Sequence, residues 1–349
     1  MFLQITKNSL VFEELFEGEQ SRISFKLTGV GKGRSNTGSR RKWTKRSHFE
    51  KDLLQTELLE LGEEVFTNKF AGCSPDTVKF IWNKIRNSVI RPREQEVHGR
   101  NKLLLWLHKL HGDLSWNEVS ASYHIGVATA IGYVRDVLFG MMEAYKDSNI
   151  ISFPKQDQRL RMVELNKRIE KEMPHALYTM DGKHARCLGA RKRERRSQKY
   201  NFHPAFNALF VTERTFGTVC AFNLDESCRK HDITILRESK WFNSLELIAN
   251  GWIIMADPGY LGSQTDNIAA TMKYTSKKKR NQWSPEFWKE LQLARADAER
   301  VFAHFFVNKF PQLANWKGKG PNAFKDWALN VTCGIIVYNE LKLRHARPI

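Results

Sequence analysis

The spacing of apolar residues divides the chain into two regions. Between residues 49 and 150, apolar residues recur every three to four positions, which is typical of helices packed on a core. This period predicts helices at residues 49–66, 77–89, 102–111, 115–123 and 127–145. Ser74, Pro75 and Asp76 provide the cap and the early proline that helix starts prefer. We therefore expect a mostly helical domain over residues 49–150.

The second region contains short apolar runs and follows a charged segment at residues 151–175, which we expect to form a linker helix. The runs predict strands at residues 176–180, 206–211, 216–224 and 252–256. Helical periodicity returns at residues 231–239, 284–306 and 322–341. The second and third strands flank a turn and indicate a hairpin. This order predicts an α/β domain over residues 176–349. It resembles ribonuclease H-like nucleases, in which helices flank a mixed sheet and the first and fourth strands are neighbours.

The net charge indicates the class of partner. The chain has 56 Lys and Arg residues against 38 Asp and Glu residues, giving a formal charge of +18. Such an excess favours a polyanion, because phosphate contacts release counterions. A membrane surface is the weaker alternative. Since there is no run of about 18 apolar residues and no signal peptide at the start, we expect a soluble intracellular protein.

The five cysteines give no sign of a disulfide framework or a zinc ribbon. Their number is odd and no two have C-x-x-C spacing. We expect buried, reduced thiols.

Residues 1–48 have the composition of a basic tail. No acidic residue lies between Arg22 and His48, and too few apolar residues are present to offset the chain entropy lost on folding. We expect disorder, with Arg40, Arg41 and Lys42 in a nuclear localisation signal or a non-specific DNA-binding arm. A solvated tail with no dedicated role is the alternative.

The predicted helices over residues 102–145 resemble a helix-turn-helix. In this interpretation residues 128–137 form the recognition helix, and Tyr133 and Arg135 reach bases or phosphates of DNA. The alternative is a helix that serves only for packing or dimerisation.

Three carboxylates have a pattern that suits phosphodiester chemistry. Asp181 and Asp257 each follow an apolar run, and Glu299 lies beside the apolar stripe of a helix. Carboxylate oxygens are the ligands that Mg²⁺ and Mn²⁺ prefer. Two such ions about 4 Å apart activate the nucleophile and stabilise the leaving oxygen. Asp181 would bridge both ions, with Asp257 on one and Glu299 on the other. The alternatives are turn-forming aspartates, and an ion pair between Glu299 and Arg295.

Four short motifs carry a closer resemblance. They are D-G-K-H at residues 181–184, His231-Asp232 before a helix, D-P-G-Y at residues 257–260 and R-x-x-x-E at residues 295–299. Together they resemble the Harbinger-type (PIF/Harbinger) transposases, including the domesticated Harbinger-derived nucleases. The resemblance covers about residues 176–341 and, more weakly, residues 102–145.

The resemblance implies a DDE triad of Asp181, Asp257 and Glu299. It indicates Asp232 as an extra carboxylate near the metals, and a helix N-cap is the alternative for this residue. His184 and Tyr260 would shape the site or contact phosphate, and Arg295 would contact phosphate or orient Glu299.

Two basic runs flank the predicted site. We expect phosphate contacts from the cations of these runs, which are Arg191, Lys192, Arg193, Arg195, Arg196 and Lys199, followed by Lys277, Lys278, Lys279 and Arg280. Solvated loops without a ligand are the alternative.

The function predicted from these features is a nuclear DNA transposase. It would cut double-stranded DNA at transposon ends and join the 3′-hydroxyl to target DNA, using two Mg²⁺ or Mn²⁺ ions. The alternatives are a domesticated nuclease without integration activity, a DNA-binding regulator, and a basic RNA-binding protein. We expect a homo-oligomer, since two ends are cut together. The resemblance also implies a Myb-like helper protein.

Overall fold

The architecture comes from a computed structural model that describes residues 49, 51–90, 94–168, 174–189, 204–238, 254–256, 284–319 and 322–345. The described residues between 49 and 168 are mostly helical, as the apolar period predicts. Their helices are α1 (Leu53–Lys69), α2 (Pro75–Val89), α3 (Glu96–His111), α4 (Trp116–Ser122), α5 (Val127–Tyr145) and α6 (Gln156–Arg168).

Side-chain caps fix the starts of three of these helices. Asp52 accepts a hydrogen bond from the Gln55 amide at the start of α1, and Ser74 accepts one from the Thr77 amide at the start of α2. Ser115 opens α4 with a reciprocal capping box. Each cap satisfies an amide that has no partner within the helix. The predicted cap at Ser74 is therefore confirmed.

The second half contains a mixed five-stranded sheet, which confirms the predicted α/β class. Its strands are β1 (Tyr178–Gly189), β2 (Ala205–Glu213), β3 (Val219–Asp225), β4 (Ile254–Ala256) and β5 (Asn315–Lys319). The order is β3-β2-β1-β4, and β5 also pairs with β1. β2 is antiparallel to β1 and β3, whereas β4 and β5 run parallel to β1. The predicted hairpin and the predicted neighbours β1 and β4 are both confirmed.

Two boundaries differ from the prediction. The first strand does not end at Asp181: β1 continues to Gly189, because β2 pairs with it from Tyr178 to Arg186. The predicted helix at residues 284–306 has two parts. α8 (Pro285–Ala303) is followed by a π-helix (His304–Lys309), whose wider turn changes the direction of the side chains.

The remaining described helices are short, except for the last. They are α7 (Asp232–Glu238), α9 (Pro311–Ala314) and α10 (Ala323–His345). Since neighbouring residues of a strand point to opposite faces, the sheet has two packed sides. Phe206, Ala208 and Phe210 pack with residues of α8, the π-helix and α10. Leu209 and Val211 pack on the other side with residues of α6 and α7.

The helical half and the sheet share one hydrophobic core. Apolar residues of α1 to α5 belong to the same buried cluster as those of α8, the π-helix and α10. Polar contacts cross this junction. Trp106 Nε1 donates to Asn330 Oδ1 at 3.0 Å, and Lys84 Nζ lies 2.6 Å from Glu340 Oε1. The predicted segments 49–150 and 176–349 are therefore packed together through α10.

Among the described helices, none is by itself long and apolar enough to cross a membrane. Taken together, the bent pair α4 and α5 is long and apolar enough for a membrane span, by length and composition only. All five cysteines are buried and free, in agreement with the expectation of buried thiols.

Candidate functional site

Asp181 lies near the start of β1, where the described part of β4 ends. Met180, the preceding residue, pairs with Ala256, the last residue of β4. Asp181 itself is half-buried and lies opposite Phe210 of β2. Its Oδ1 accepts a hydrogen bond from the Gly182 amide at 2.8 Å. The carboxylate is thus attached to the central strand of the sheet, one residue beyond the described pairing with β4.

The cross-strand partner of Asp181 shows which face of the sheet this carboxylate occupies. Residues directly opposite each other in an antiparallel pair share a face. The Phe210 ring stacks on Phe302 of α8, with centroids 5.0 Å apart, and on Phe306 of the π-helix at 5.7 Å. Asp181 therefore lies on the face of the sheet that α8 covers.

Glu299 lies on α8, one turn before Phe302. Ala298, Val301 and Phe302 are buried, whereas Glu299 is exposed. Residues three apart on a helix are neighbours on its surface, so Glu299 borders the stripe that packs on the sheet. α8 contacts both β1 and β4. Asp181 and Glu299 are therefore on the same side of the sheet.

The nearby acid Asp297 is engaged in ion pairs. Arg214 Nε lies 3.1 Å from Asp297 Oδ2, and Arg300 Nη1 lies 2.9 Å from Oδ1. The Arg214 side chain is only 2% exposed, and it also donates to the Ala176 carbonyl oxygen at 3.0 Å. Asp297 therefore ties α8 to the turn after β2, which fixes the helix that carries Glu299.

Asp232 lies on the other face of the sheet. A Cβ atom added to Gly182 would lie 2.7 Å from Asp232 Oδ1, so the carboxyl group covers Gly182. Asn207 Nδ2 donates to the same oxygen at 3.5 Å, and His184 is the cross-strand partner of Asn207. Because Cβ directions alternate along a strand, Gly182 and Asp181 point to opposite faces. The backbone of β1 thus separates Asp232 from the face of Asp181.

Two details of this cluster differ from what the sequence indicated. Asp232 is the first residue within α7, and His231 precedes the helix. Asn207 was not predicted as a site residue. It is fully buried in β2 within the run Phe206 to Val211. A lone amide in an otherwise apolar strand was the signal in the sequence, because buried polar groups need partners.

Several predicted site residues lie outside the described part of the chain. Asp257 and Tyr260 follow β4 in sequence, and the side chain of Arg295 also falls outside the description, although its backbone belongs to α8. The basic residues that lie outside are Arg40, Arg41, Lys42, Arg191, Lys192, Arg193, Arg195, Arg196, Lys199, Lys277, Lys278, Lys279 and Arg280.

The helices predicted to contact DNA meet at a sharp angle. α4 and α5 are inclined at 95° and are joined by residues 123–126, where His124 has a φ of 50°. Arg135 on α5 is exposed. Tyr133 is half-buried, and its ring centroid lies 4.9 Å from that of Phe49 and 5.1 Å from that of His98. Arg135 is thus the more accessible of the two predicted contacts.

A buried cation holds α5 against α3. The side chain of Lys102 is 0% exposed, and its Nζ lies 2.8 Å from Glu94 Oε1 and 2.8 Å from Asp136 Oδ2. The same Nζ lies 5.1 Å from the centroid of the Tyr133 ring. A buried ammonium group is tolerated only when it is paired, so these contacts fix the position of α5.

Carboxylates on one side of the sheet have the chemistry to hold divalent cations. Within the described ranges, no group of three or more His, Cys, Asp or Glu side chains is close enough to bind a metal. The predicted triad includes Asp257, which those ranges do not contain. Neither the protein-family models nor the curated proteins match this chain.

Proposed function

We propose that this protein is a metal-dependent DNA endonuclease and strand transferase, similar to the Harbinger-type transposases that its motifs resemble. The observation that carries the proposal is the position of two predicted ligands. Asp181 and Glu299 lie on the same side of the sheet, Asp181 on its central strand and Glu299 on the helix α8 that covers that face. The third, Asp257, directly follows Ala256, which pairs with the residue before Asp181.

The donor set fits hard divalent cations. Asp181, Asp257 and Glu299 would hold two Mg²⁺ or Mn²⁺ ions through carboxylate oxygens. When bound, such a pair supplies a nucleophilic oxygen for attack on phosphorus and stabilises the leaving oxygen. The ion pairs of Asp297 with Arg214 and Arg300 keep α8 in place. Asp181 is held through the Gly182 amide.

The sheet supports a ribonuclease H-like assignment. An antiparallel hairpin follows β1, and the next described strand, β4, returns parallel to β1 on its other side. Helices cover both faces, with α8 and α10 on one and α6 and α7 on the other. In the proposal, carboxylates from β1, from the residue after β4 and from the covering helix α8 meet at one edge of this sheet.

The remaining features support DNA as the substrate. The formal charge of +18 favours a polyanion. The 95° angle between α4 and α5 falls within the range of helix-turn-helix pairs. In this proposal Arg135 contacts DNA, and Tyr133 supports the helix from within the core. The basic runs at 40–42, 191–199 and 277–280 contact phosphates. The protein acts in the nucleus as a homo-oligomer, with a Myb-like helper.

The proposal is tested by nicking of a labelled DNA duplex that carries candidate element ends. Wild type is compared with Asp181→Asn, Asp257→Asn and Glu299→Gln, each with Mg²⁺, with Mn²⁺ and with a chelator. Glu286→Gln is the matched control, because Glu286 is an exposed acid at the start of the same helix, α8. We expect each triad variant to lose metal-dependent nicking and to retain DNA binding, whereas the control nicks like wild type.

Two results would contradict the proposal. Nicking that survives all three substitutions would show that these carboxylates do not form the catalytic triad. If wild type binds DNA but does not nick it, with or without the Myb-like helper, the result would favour a DNA-binding regulator.

A further inference from the structure

A cavity of about 490 Å³ lies between the turn after β2, the junction of α8 with the π-helix, and α10. Its volume is in the range of pockets that bind small molecules. Phe216 and Val301 provide apolar walls, and polar side chains from all three elements complete the lining. The cavity is thus built from segments that are far apart in sequence.

Three residues that line the cavity carry buried polar atoms without a hydrogen-bond partner among the described residues. These atoms are Thr215 Oγ1, His304 Nδ1 and Tyr338 Oη. Tyr338 is 1% exposed, so water does not replace a partner freely. An unsatisfied buried group destabilises the fold unless it finds a partner. All three belong to side chains that line the cavity, so a rotation of these side chains toward it would give them a partner in a bound molecule.

The cavity also contains a cation without a counterion in the described part of the chain. Lys342 Nζ lies 5.5 Å from the centroid of the Tyr338 ring and 3.9 Å from the position of a Cβ on Gly217, at the turn. Burial lowers the pKa of Lys342, and the nearby Lys309 lowers it further. A negatively charged ligand would offset the free-energy cost of burying the charged Lys342 ammonium group.

The two carboxylates of the lining are already engaged. Glu213 is fully buried and accepts hydrogen bonds from the backbone amides of Thr215 and Phe216. Asp297 holds Arg214 and Arg300. The lining also contains Arg214, Arg300 and Lys342, so its three cations outnumber its two carboxylates and the cavity attracts an anion.

The wall formed by the π-helix has an unusual backbone. His304 begins the π-helix, and both His304 and Asn308 line the cavity. The Phe310 amide donates to the Phe305 carbonyl oxygen at 2.8 Å, five residues back. Short π-helical segments occur frequently at functional sites. Burial lowers the pKa of His304 to about 4, so its ring is neutral near pH 7.

We propose that this cavity binds the phosphate group of a small molecule of about mononucleotide size. Lys342 supplies the charge, and the Thr215 and Tyr338 hydroxyl groups and the His304 ring nitrogen supply hydrogen bonds. A phosphate has three acceptor oxygens for these groups. A phosphate alone would leave most of the 490 Å³ empty, and the walls of Phe216 and Val301 suit an attached nucleoside. This site does not depend on the proposed nuclease activity.

The test is calorimetric titration of the full chain with adenosine monophosphate, inorganic phosphate and adenosine. Lys342→Met and Tyr338→Phe are the test variants. Lys325→Met is the matched control, because Lys325 is an exposed lysine on the same helix, α10. We expect adenosine monophosphate to bind wild type and the control equally. Lys342→Met should weaken binding tenfold or more, and Tyr338→Phe severalfold, with melting temperatures in the absence of ligand no lower than that of wild type.

The remaining outcomes distinguish two cases: a phosphate site whose ligand is DNA, and no phosphate site at all. If adenosine monophosphate fails to bind, a short duplex with a 5′-phosphate is titrated against the same duplex with a 5′-hydroxyl group. A preference for the phosphorylated end that Lys342→Met abolishes would keep the phosphate site, with DNA as its source. No binding of any phosphate, or binding that Lys342→Met leaves unchanged, would overturn the proposal. Neither result depends on nicking, so the nuclease proposal is tested separately.

Discussion

Replacing Lys102 with methionine tests whether the buried ion-pair cluster holds the two central helices of the first half together. Lys102 Nζ lies 2.8 Å from Glu94 and 2.8 Å from Asp136, and its side chain has no exposed surface. Removing one partner of a buried pair costs about 3–5 kcal/mol, because the other charge loses its counterion. Glu94 and Asp136 are 10% and 19% exposed, so water partly compensates them. We therefore expect a cost near the lower limit, about 3 kcal/mol.

The assay is urea unfolding of the full chain, followed by circular dichroism. The control is Lys79→Met, since Lys79 lies 3.4 Å from Asp76 in an ion pair that is exposed on both sides. Exposed pairs contribute little, so this variant should unfold at the wild-type midpoint. The triple variant Glu94→Gln, Lys102→Met, Asp136→Asn should recover most of the lost stability, because no uncompensated charge remains.

Two results would refute this reasoning. A loss below about 1 kcal/mol in Lys102→Met would mean that the cation contributes no more than a surface pair. A triple variant as unstable as the single variant would mean that the loss comes from packing of the lysine stem and not from the two carboxylates.

Three further predictions concern packing, protonation and thiol chemistry. Gly140→Ala should lower stability by about 1–3 kcal/mol in thermal melting, because the new Cβ would lie 2.3 Å from Val89 Cγ2 where α2 and α5 meet. Burial lowers the pKa of His108 and of His304 to about 4. The unfolded chain takes up these protons near pH 6.5 and the folded chain only near pH 4, so the urea midpoint should fall steadily from pH 7 to pH 4.5. Burial raises the pKa of Cys73 to about 12, so this thiol should resist iodoacetamide at pH 8 until the chain is unfolded.

The parts of the fold that follow from local pattern could be predicted. α5 has the predicted bounds of residues 127–145, because its apolar stripe begins after a turn at His124 and Gly126. The hairpin of β2 and β3 was also predicted from local pattern, since its two apolar runs flank a turn. The length of β1 was not, since the three residues after Asp181 are Gly, Lys and His, and they join the strand through pairing with β2. β5 had no strand signal, and its Trp316 and Lys317 are ordered by pairing or contacts with distant segments.

The arrangement of the candidate site depends on tertiary contacts in the same way. Nothing in the order of residues places Asp232 on the face opposite Asp181. That follows from the approach of α7 to Gly182, which has no side chain to keep the carboxyl group away. The apolar stripe of α8 indicated that Glu299 borders the sheet. The π-helix after it could not be predicted, since one extra residue per turn leaves no local signal in a continuous apolar pattern.

The position of α10 has a consequence for how the chain folds during synthesis. This helix is made last among the described elements, yet Asn330 and Cys333 contact Trp106 and Leu138 of the early helices. The ribosome must add the residues between Tyr145 and Ala323 before these contacts form, which takes about 10–40 s at ~5–20 residues per second. During that interval, part of the apolar surface of the early helices is uncovered. Their final packing is therefore delayed until α10 has been made, and a chain interrupted before residue 323 would leave this surface open to chaperones and proteases.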